Sequence, residues 1–532
     1  MSSHFEVTRG SAFNAADRTS DELASWYAPE MTGDTALLPH LGTLRGRHHD
    51  TIRNNGFMSG AVQTHLDNVI GSGLRLNVKP DWKYLGLANE ADAEKTAEWE
   101  RITQSKFNSW AYDVNNYCDA SRKKNFAGIM AQAYRSYLTS FEIFGTAEWI
   151  PRAGSKFCTA IQLLDPARLS NPYGQSDTSK LRAGVVSGDM GEPVAYCISS
   201  ALDEIQNSSA SVRNWKRVPC ETEWGRKIVI HRFDEEQPGQ SRGKTGIVSV
   251  LSKVKMLEKF EGVTLQASIL NAMYAAVIVS SMDWQSVGAA IGANADDPTL
   301  AYMENVSAFH KESGIRFNGL KIPHLFPGEE LKITESKHPS AQFNQFEEAA
   351  LRYLAAGANL TYEQFSRDWS KSNYSSARGA LLEVWRFFAG RHVHIAAPFA
   401  TDVYLLWLEE AIDNGEVELF PGAPDFYEAK TAWGGCKWIG PGRSHIDPEK
   451  EANATRIEYG MHLTTLEEEA AARGKDWEDV LIQRQQEDRR MRQLGLNPDA
   501  VLSAALNAKP SLPAQENVPP QKPEQPEPQE QS

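Results

Sequence analysis

No apolar run in this sequence approaches the roughly 18 residues that a membrane-spanning helix needs, so no contact with a membrane is expected. The amino-terminal stretch MSSHFEVTRGSAFNAADRTSDE has no apolar core and does not read as a secretory signal. Cysteine is scarce. The five thiols, Cys118, Cys158, Cys197, Cys220 and Cys436, are scattered, odd in number and form no CxxC pair. That excludes the usual zinc and disulfide frameworks and predicts isolated thiols in a reducing cytosol. Positive charge is also short, with 55 Lys and Arg against 69 Asp and Glu, a net charge of −14. A protein that grips nucleic acid by its phosphates normally carries a basic face, so this balance argues against a tight DNA binder.

The 532 residues are enough for about three structural regions, and 41% hydrophobic with 23% charged residues is ordinary for a globular chain. Residues 1–45 are polar and weakly patterned and read as an arm. From Asn54 to Ile70 apolar positions recur at helical spacing and stop at Gly71 and Gly73. Further helices are predicted over about 90–110 and 122–140. Between 141 and 233 the texture changes to short β-rich runs, FEIFGTAEWI, TAIQLL, AGVVSGDMGEPVAYCIS and KIVIHRF, with a hairpin turn at Gly188–Gly191. Helices and strands are segregated, so the class is α+β and not a doubly wound sheet. A long helix follows Gly246, another covers 343–356, and a helical run over 375–413 contains Pro398, where a kink or break is expected. Charged helices fill 449–495, with Thr464 and Glu467 at capping-box spacing. The Pro-, Gln- and Glu-rich end cannot build a core.

Signals for chemistry fail on spacing. A phosphate-binding P-loop needs four residues between its glycines, whereas Gly239 and Gly243 in PGQSRGKTG enclose three. The segment LLWLEE at 405–410 mimics the acidic strand of an ATPase but places Glu409 where Asp belongs, and within a helical run. His392 and His394, two apart on a helix, cannot share a metal ion; His48 and His49 lack a third ligand nearby. The segment WGGCKWIGPGR at 433–443 lacks the third dinucleotide-binding glycine and reads as a structured loop. Aromatic and basic residues interleave at 213–232, from Arg213 and Trp215 to Trp224, Arg226 and Lys227; stacking on nucleic acid and a polar-faced strand pair both fit. No catalytic residue, cofactor site or metal site is assigned. A chain this long without an assembled catalytic site is often structural.

From about residue 35 to 495 the order of segments resembles the lambda-type portal proteins of tailed phages. The likeness is carried by IRNNGFMSGAVQTHLDNVIGSGLRL (52–76), QLLDPARLSNP (162–172), the GQSRG loop (239–243), KIPHLFPGEEL (321–331), the long segment from FEEAALRY to ARGALLE (346–383), and WGGCKWIGPGRSHIDPEKEANA (433–454). The resemblance implies a portal fold in a ring of about a dozen copies, with these parts: a flexible arm at 1–34, an α+β wing at 35–245, a stem helix at 246–273, a clip at 274–342, a second stem helix at 343–359, a tunnel loop at 360–374, a long kinked helix returning to the wing at 375–439, a helical crown at 440–500 and a disordered tail at 501–532. It implies a place at one capsid vertex of the virion, after assembly in the host cytoplasm, as the channel for DNA packaging and ejection. The implied partners are the large terminase subunit, major capsid and scaffolding proteins, head–tail connector proteins, and double-stranded DNA passing without sequence specificity.

A net-negative wall gives DNA no adhesive lattice of cations, so positive contact should be confined to a narrow element. The tunnel segment LTYEQFSRDWSKSNYSS supplies Arg367 and Lys371, with Ser372 and Asn373 as further phosphate-capable groups. A pairing of Arg367 with Asp368 or with a neighbouring subunit competes with that role. The rival readings are a P-loop-type packaging ATPase and a monomeric helical scaffold.

Overall fold

The structure is a computed structural model that describes residues 25–199, 214–273, 343–370, 374–443 and 448–500. It also describes the strand segments 276–280, 314–317, 320–323 and 329–333 and the single positions 15, 308 and 503. Inter-residue contacts divide the chain into two units, Met1–Pro441 and Gly442–Ser532.

The first unit opens with helices where the sequence suggested an arm. α1 (Gly33–Leu37) is capped by the Thr32 hydroxyl, a 3₁₀ turn follows, and α2 (Leu41–Asn54) runs into α3 (Gly56–Val69) at the Asn55 cap. Residues 33–45 are therefore structured. Their polar character misleads because α2 buries Arg45, His48 and Thr51 alongside Leu41. β1 (Arg75–Val78), α4 (Ala93–Ala111) and α5 (Phe126–Ser140) come next; Asn125 caps α5, which fixes its start inside the predicted 122–140.

Two antiparallel sheets carry the β-rich stretch. β3 (Thr159–Leu163) and β8 (Val229–Phe233) flank β2 (Glu142–Trp149), and β4 (Leu181–Arg182), β5 (Val185–Ser187), β6 (Pro193–Ser199) and β7 (Trp215–Pro219) form the second sheet in order. The hairpin at Gly188–Gly191 joins β5 to β6, as its spacing suggested. The segment 213–232 is not one strand pair: β7 pairs with β6 and β8 with β2, and the chain between them turns back through a bridge between Glu221 and Lys227 and through the Ile228 and Val229 amides, which donate to the Cys220 carbonyl. The mixture of helices with small antiparallel sheets is the α+β class.

A 3₁₀ turn at Gly246–Val250 opens α6 (Leu251–Met273). β9 (Ala276–Ser280) pairs with β12 (Glu329–Ile333), and β10 (Gly314–Phe317) pairs with β11 (Leu320–Pro323) between them in sequence. Then come α7 (Phe343–Gly357), α8 (Tyr362–Ser366) and α9 (Tyr374–Arg391). Pro398 neither stops nor isolates the helical run. A π turn at His392–Ala396 precedes it and α10 (Ala397–Asp413) takes Pro398 into its first turn, where a missing N–H costs least. α10 is buried on every side, from Phe399 through Tyr404 and Trp407 to Ala411. Trp407 meets Phe107 at 5.3 Å and Phe157 at 5.5 Å between ring centres, so truncating it to Ala would cost about 3–5 kcal/mol.

After α11 (Lys430–Trp433), the segment read as a loop contains a strand, β13 (Cys436–Ile439), paired antiparallel with β1. In the second unit α12 (Pro448–Gly460), α13 (Leu466–Ala472) and α14 (Trp477–Gln493) bury none of their own residues. The capping box is Thr465 with Glu468, one residue later than expected; Thr464 instead bonds Glu468 and Glu469 with its hydroxyl.

Candidate functional site

The segment from Ala358 to Arg367 is anchored on two adjacent residues of α3. His65 Nε2 lies 2.8 Å from the Ala358 carbonyl, and the Arg367 guanidinium donates to the Thr64 hydroxyl at 2.8 Å. Burial lowers the His65 pKa to about 4, so the ring is neutral and Nε2–H donates. α8 starts on a capping box: Gln364 N–H donates to Thr361 Oγ1 at 3.1 Å, and Thr361 N–H to Gln364 Oε1 at 3.3 Å. Phe365 is buried and stacks on Phe57 at 5.8 Å, which plugs the short helix into the core.

Arg367 then leaves the helix with φ +62°, a left-handed conformation that turns the chain sharply. It is exposed, and the Thr64 hydroxyl that it bonds is neutral, so its charge is retained. The Asp368 carboxylate closes a turn of its own, accepting from Ser370 N–H at 3.0 Å and Ser370 Oγ at 2.6 Å. Lys371, Ser372 and Asn373 lie outside the described residues.

The GQSRG loop is the second constellation, and the sequence did not reveal its role. Arg242 is 1% exposed and Glu142, at the start of β2, is 0% exposed. Arg242 Nε donates to both Glu142 oxygens at 3.0 and 2.8 Å, Nη1 to the carbonyls of Leu169 and Ala183, and Nη2 to that of Pro166. Arg45 donates to the same carboxylate at 3.2 Å and His231 at 2.7 Å. Burial pushes the Glu142 carboxyl up, but Arg242 first, then His231 and Arg45, hold it down at about 2. Burial lowers the His231 pKa, so it is a neutral donor and not an ion-pair partner. Arg242 thus ties the segment leading into α6 to the sheet, and the shared Glu142 carboxylate extends the tie to Arg45 of α2.

Gly243 has to be glycine there. A Cβ would sit 2.6 Å from Phe233 Cβ and 2.8 Å from the Phe141 carbonyl oxygen. The amides that a nucleotide phosphate would need are occupied by carboxylates. Gly239 and Gln240 N–H donate to Glu235 Oε1 at 2.7 and 3.1 Å, and Ser241 N–H to Asp34 Oδ1 at 2.8 Å. Lys244 pairs with Glu236 at 2.6 Å. The other motifs that failed on spacing are equally engaged. His392 Nε2 lies 3.0 Å from the Trp438 carbonyl, His48 and His49 bond Thr139 and Ser140, and Glu410 caps the amides of Cys158 and Thr159. Among the described residues no three His, Cys, Asp or Glu gather as a metal site, and no described helix is long and apolar enough to cross a membrane.

α6 and α7 are the third feature. They meet through aromatic rings, Phe260 with Phe343 at 5.6 Å and with Phe346 at 4.8 Å. Outside that seam they expose Met256 (70%), Val263, Leu265 (63%) and Ile269. Met256 and Val263 fall on one side of α6 and Leu265 and Ile269 on the other, and exposed apolar side chains in this number are normally covered by other protein surfaces.

A family described as phage portal protein, lambda family, matches residues 19–392. The portal protein of Escherichia phage N15 is 35% identical over 492 residues, spanning 92% of this chain and 91% of its own length. Portal protein B of Escherichia phage lambda is 34% identical over the same spans, and a probable portal protein of Halomonas phage phiHAP-1 is 22% identical over 482 residues. Among solved structures, a chain of a native gene transfer agent virion is 12% identical at a TM-score of 0.43, with 85% of this chain and 97% of that chain covered. A chain of the native particle's neck is 13% identical at a TM-score of 0.40, covering 70% and 81%.

Proposed function

The chain belongs to the lambda family of phage portal proteins, and from that premise we propose that about a dozen copies close into a ring at one capsid vertex, forming the channel through which DNA is packaged and ejected. In this reading 35–245 is the wing, α6 and α7 are the stem, 274–342 the clip, 360–374 the tunnel loop and 440–500 the crown. The clip would receive the terminase large subunit during packaging and head–tail connector proteins afterwards; capsid and scaffolding proteins would surround the ring.

Beyond the family match, one observation supports the ring: the apolar side chains that α6 and α7 leave exposed. Leu265 and Met256 stand in water in the single chain and would be buried by the neighbouring stems. Arg242 has a mechanical place in this scheme. It fastens the start of α6 to the wing, so that a load on the stem is passed to the sheet and not absorbed by a slack loop.

The DNA contact falls to the tunnel loop. Arg367 keeps its charge at the exit of α8, and Lys371, Ser372 and Asn373 come shortly after it in the chain. Repeated around an otherwise acidic ring, they form a thin collar of phosphate-capable groups. The contact is weak, salt-sensitive and independent of sequence, because these side chains meet phosphates and not base edges. The double variant Arg367→Ala with Lys371→Ala should assemble normally yet package or retain less DNA, with the difference from the unaltered chain greatest at low salt, where the cations are least screened. Full-length packaging and normal retention by the double variant would remove the loop from the DNA path.

A further inference from the structure

A cleft of about 650 Å³ lies between the sheet of β2 and the end of α10, lined among others by Trp149, Trp224, Tyr427, Arg226, Glu409 and Asp413. Trp149 and Trp224 are 57% and 62% exposed, although indoles are usually well buried. None of these residues belongs to the tunnel loop or the stem, so the chemistry of the cleft does not depend on the ring.

The polar groups in the cleft are short of donors. Trp224 Nε1 donates to Glu409 Oε1 at 3.2 Å. The Tyr427 hydroxyl lies 3.3 Å from the same oxygen and 3.1 Å from Asp413 Oδ2, but it has one proton and serves one carboxylate at a time. Glu409 Oε2 is buried and receives no hydrogen bond, but it forms ion pairs with Arg226 Nη1 at 3.4 Å and Lys430 Nζ at 3.6 Å, so the charge of Glu409 is already met. Asp413 is exposed, and among the described residues that hydroxyl is the one group bonded to its carboxylate.

The cleft already holds one guanidinium. Arg226 sits over the Trp149 ring at 5.4 Å and is engaged below by the Leu406 carbonyl at 3.0 Å and Thr159 Oγ1 at 2.8 Å. The neighbouring indole, Trp224, has no cation stacked on it among the described residues, and Asp413 stands across the cleft. A planar cation fits both at once, stacking on the ring and bonding the carboxylate through two parallel N–H groups. A lysine ammonium could do only one of these well, and an anion would meet Glu409 and Asp413.

We propose that this cleft is a docking pocket for an arginine side chain carried on an extended segment of a partner protein, stacked on Trp224 and paired with Asp413. The test uses the full-length protein and a short photoreactive probe, acetyl-Gly-Arg-Gly-benzoylphenylalanine amide, with cross-links mapped by mass spectrometry. Cross-links to the peptides containing Trp149, Trp224 or Tyr427 are expected. Replacing the probe's arginine by neutral citrulline, or Asp413 by Asn, should each reduce them by about tenfold, equivalent to about 1.4 kcal/mol. Trp224→Phe should reduce them less than Asp413→Asn. Equal labelling by the citrulline probe, or undiminished labelling of Asp413→Asn, would overturn the proposal, because the aromatic walls alone would then be responsible. Complete displacement of the probe by micromolar spermidine would also overturn it, by assigning the cleft to a free polyamine.

Discussion

The first unit and the helices of 448–500 both carry many charges, yet they satisfy their residues in opposite ways. In the first unit, Glu142, Arg242, Arg45 and His231 bond one another inside the chain, and α10 is enclosed on all sides. In α12, α13 and α14 no residue is buried, while Ile457, Met461, Val480, Leu481 and Ile482 stay in water. Around its buried residues the first unit is closed on itself. The second carries apolar side chains that its own chain does not cover, as α6 and α7 do. Stability in the wing is thus intramolecular, whereas the open regions depend on what they meet.

Breaking the buried cluster should have the largest effect. Glu142→Ala leaves two guanidinium groups buried without their carboxylate and should lower wing stability by about 3–5 kcal/mol in denaturant unfolding followed by near-ultraviolet circular dichroism. Replacing the carboxylate together with both guanidinium groups, Glu142→Leu with Arg242→Met and Arg45→Met, should recover part of that loss, since much of the cost lies in the unpaired charge.

Acid should separate the regions next. Burial lowers the pKa of His48 and of His65 from 6.5 to about 4. Between those values the unfolded chain binds protons that the folded wing refuses, so stability is lost as pH falls from 6.5 to 4, on the order of 3 kcal/mol for each ring. The Glu142 contribution works in the same direction over a lower range. Its carboxyl is held at about 2 against an ordinary 4.5, so the stability it gives above pH 4.5 disappears as pH falls toward 2. A stability profile that is flat from pH 7 to 4 would contradict this, and His65→Gln, which keeps a donor for the Ala358 carbonyl, should flatten its share of the slope.

The open regions should respond through assembly instead. Leu481→Glu with Ile482→Glu should change the unfolding of the single chain by less than about 0.5 kcal/mol, because both side chains are already solvated, while reducing assembly at a fixed protein concentration. Smallest of all, removal of residues 511–532 should leave assembly unchanged, since their composition cannot bury apolar surface.

Much of the architecture was legible in the sequence because it rests on local periodicity. The spacing from Phe57 to Val69, the β-rich run EIFGTAEW and the turn at Gly188–Gly191 each name their element without reference to the rest of the chain. What was missed depends on distant partners. α2 looked polar because its buried side chains are Arg45, His48 and Thr51, and the charge of Arg45 is offset by a glutamate 97 residues away. β13 looked like a loop because its partner strand, β1, lies more than 350 residues earlier. The capping box slipped by one residue because two threonines are followed by three consecutive glutamates, each pairing at acceptable spacing.

The sites divide in the same way. Arg367 was visible as a cation in a polar segment between helices, but not its seat on Thr64, which is 303 residues away. The short GQSRG loop was recognised as failing to hold phosphate. Nothing in its spacing announced that Glu235 and Asp34 fill the place of an anion, or that Arg242 reaches Glu142.

The most direct test of the account is the solution mass of the intact chain, measured by light scattering after size-exclusion chromatography. The portal-family reading, together with the uncovered apolar side chains of α6, α7 and the carboxy-terminal helices, predicts a ring of about twelve 59.1 kDa chains, near 0.7 MDa, which Leu265→Glu in α6 should shift toward the single chain. A stable, folded 59.1 kDa monomer at every concentration tested, with the mass unaffected by Leu265→Glu, would contradict it.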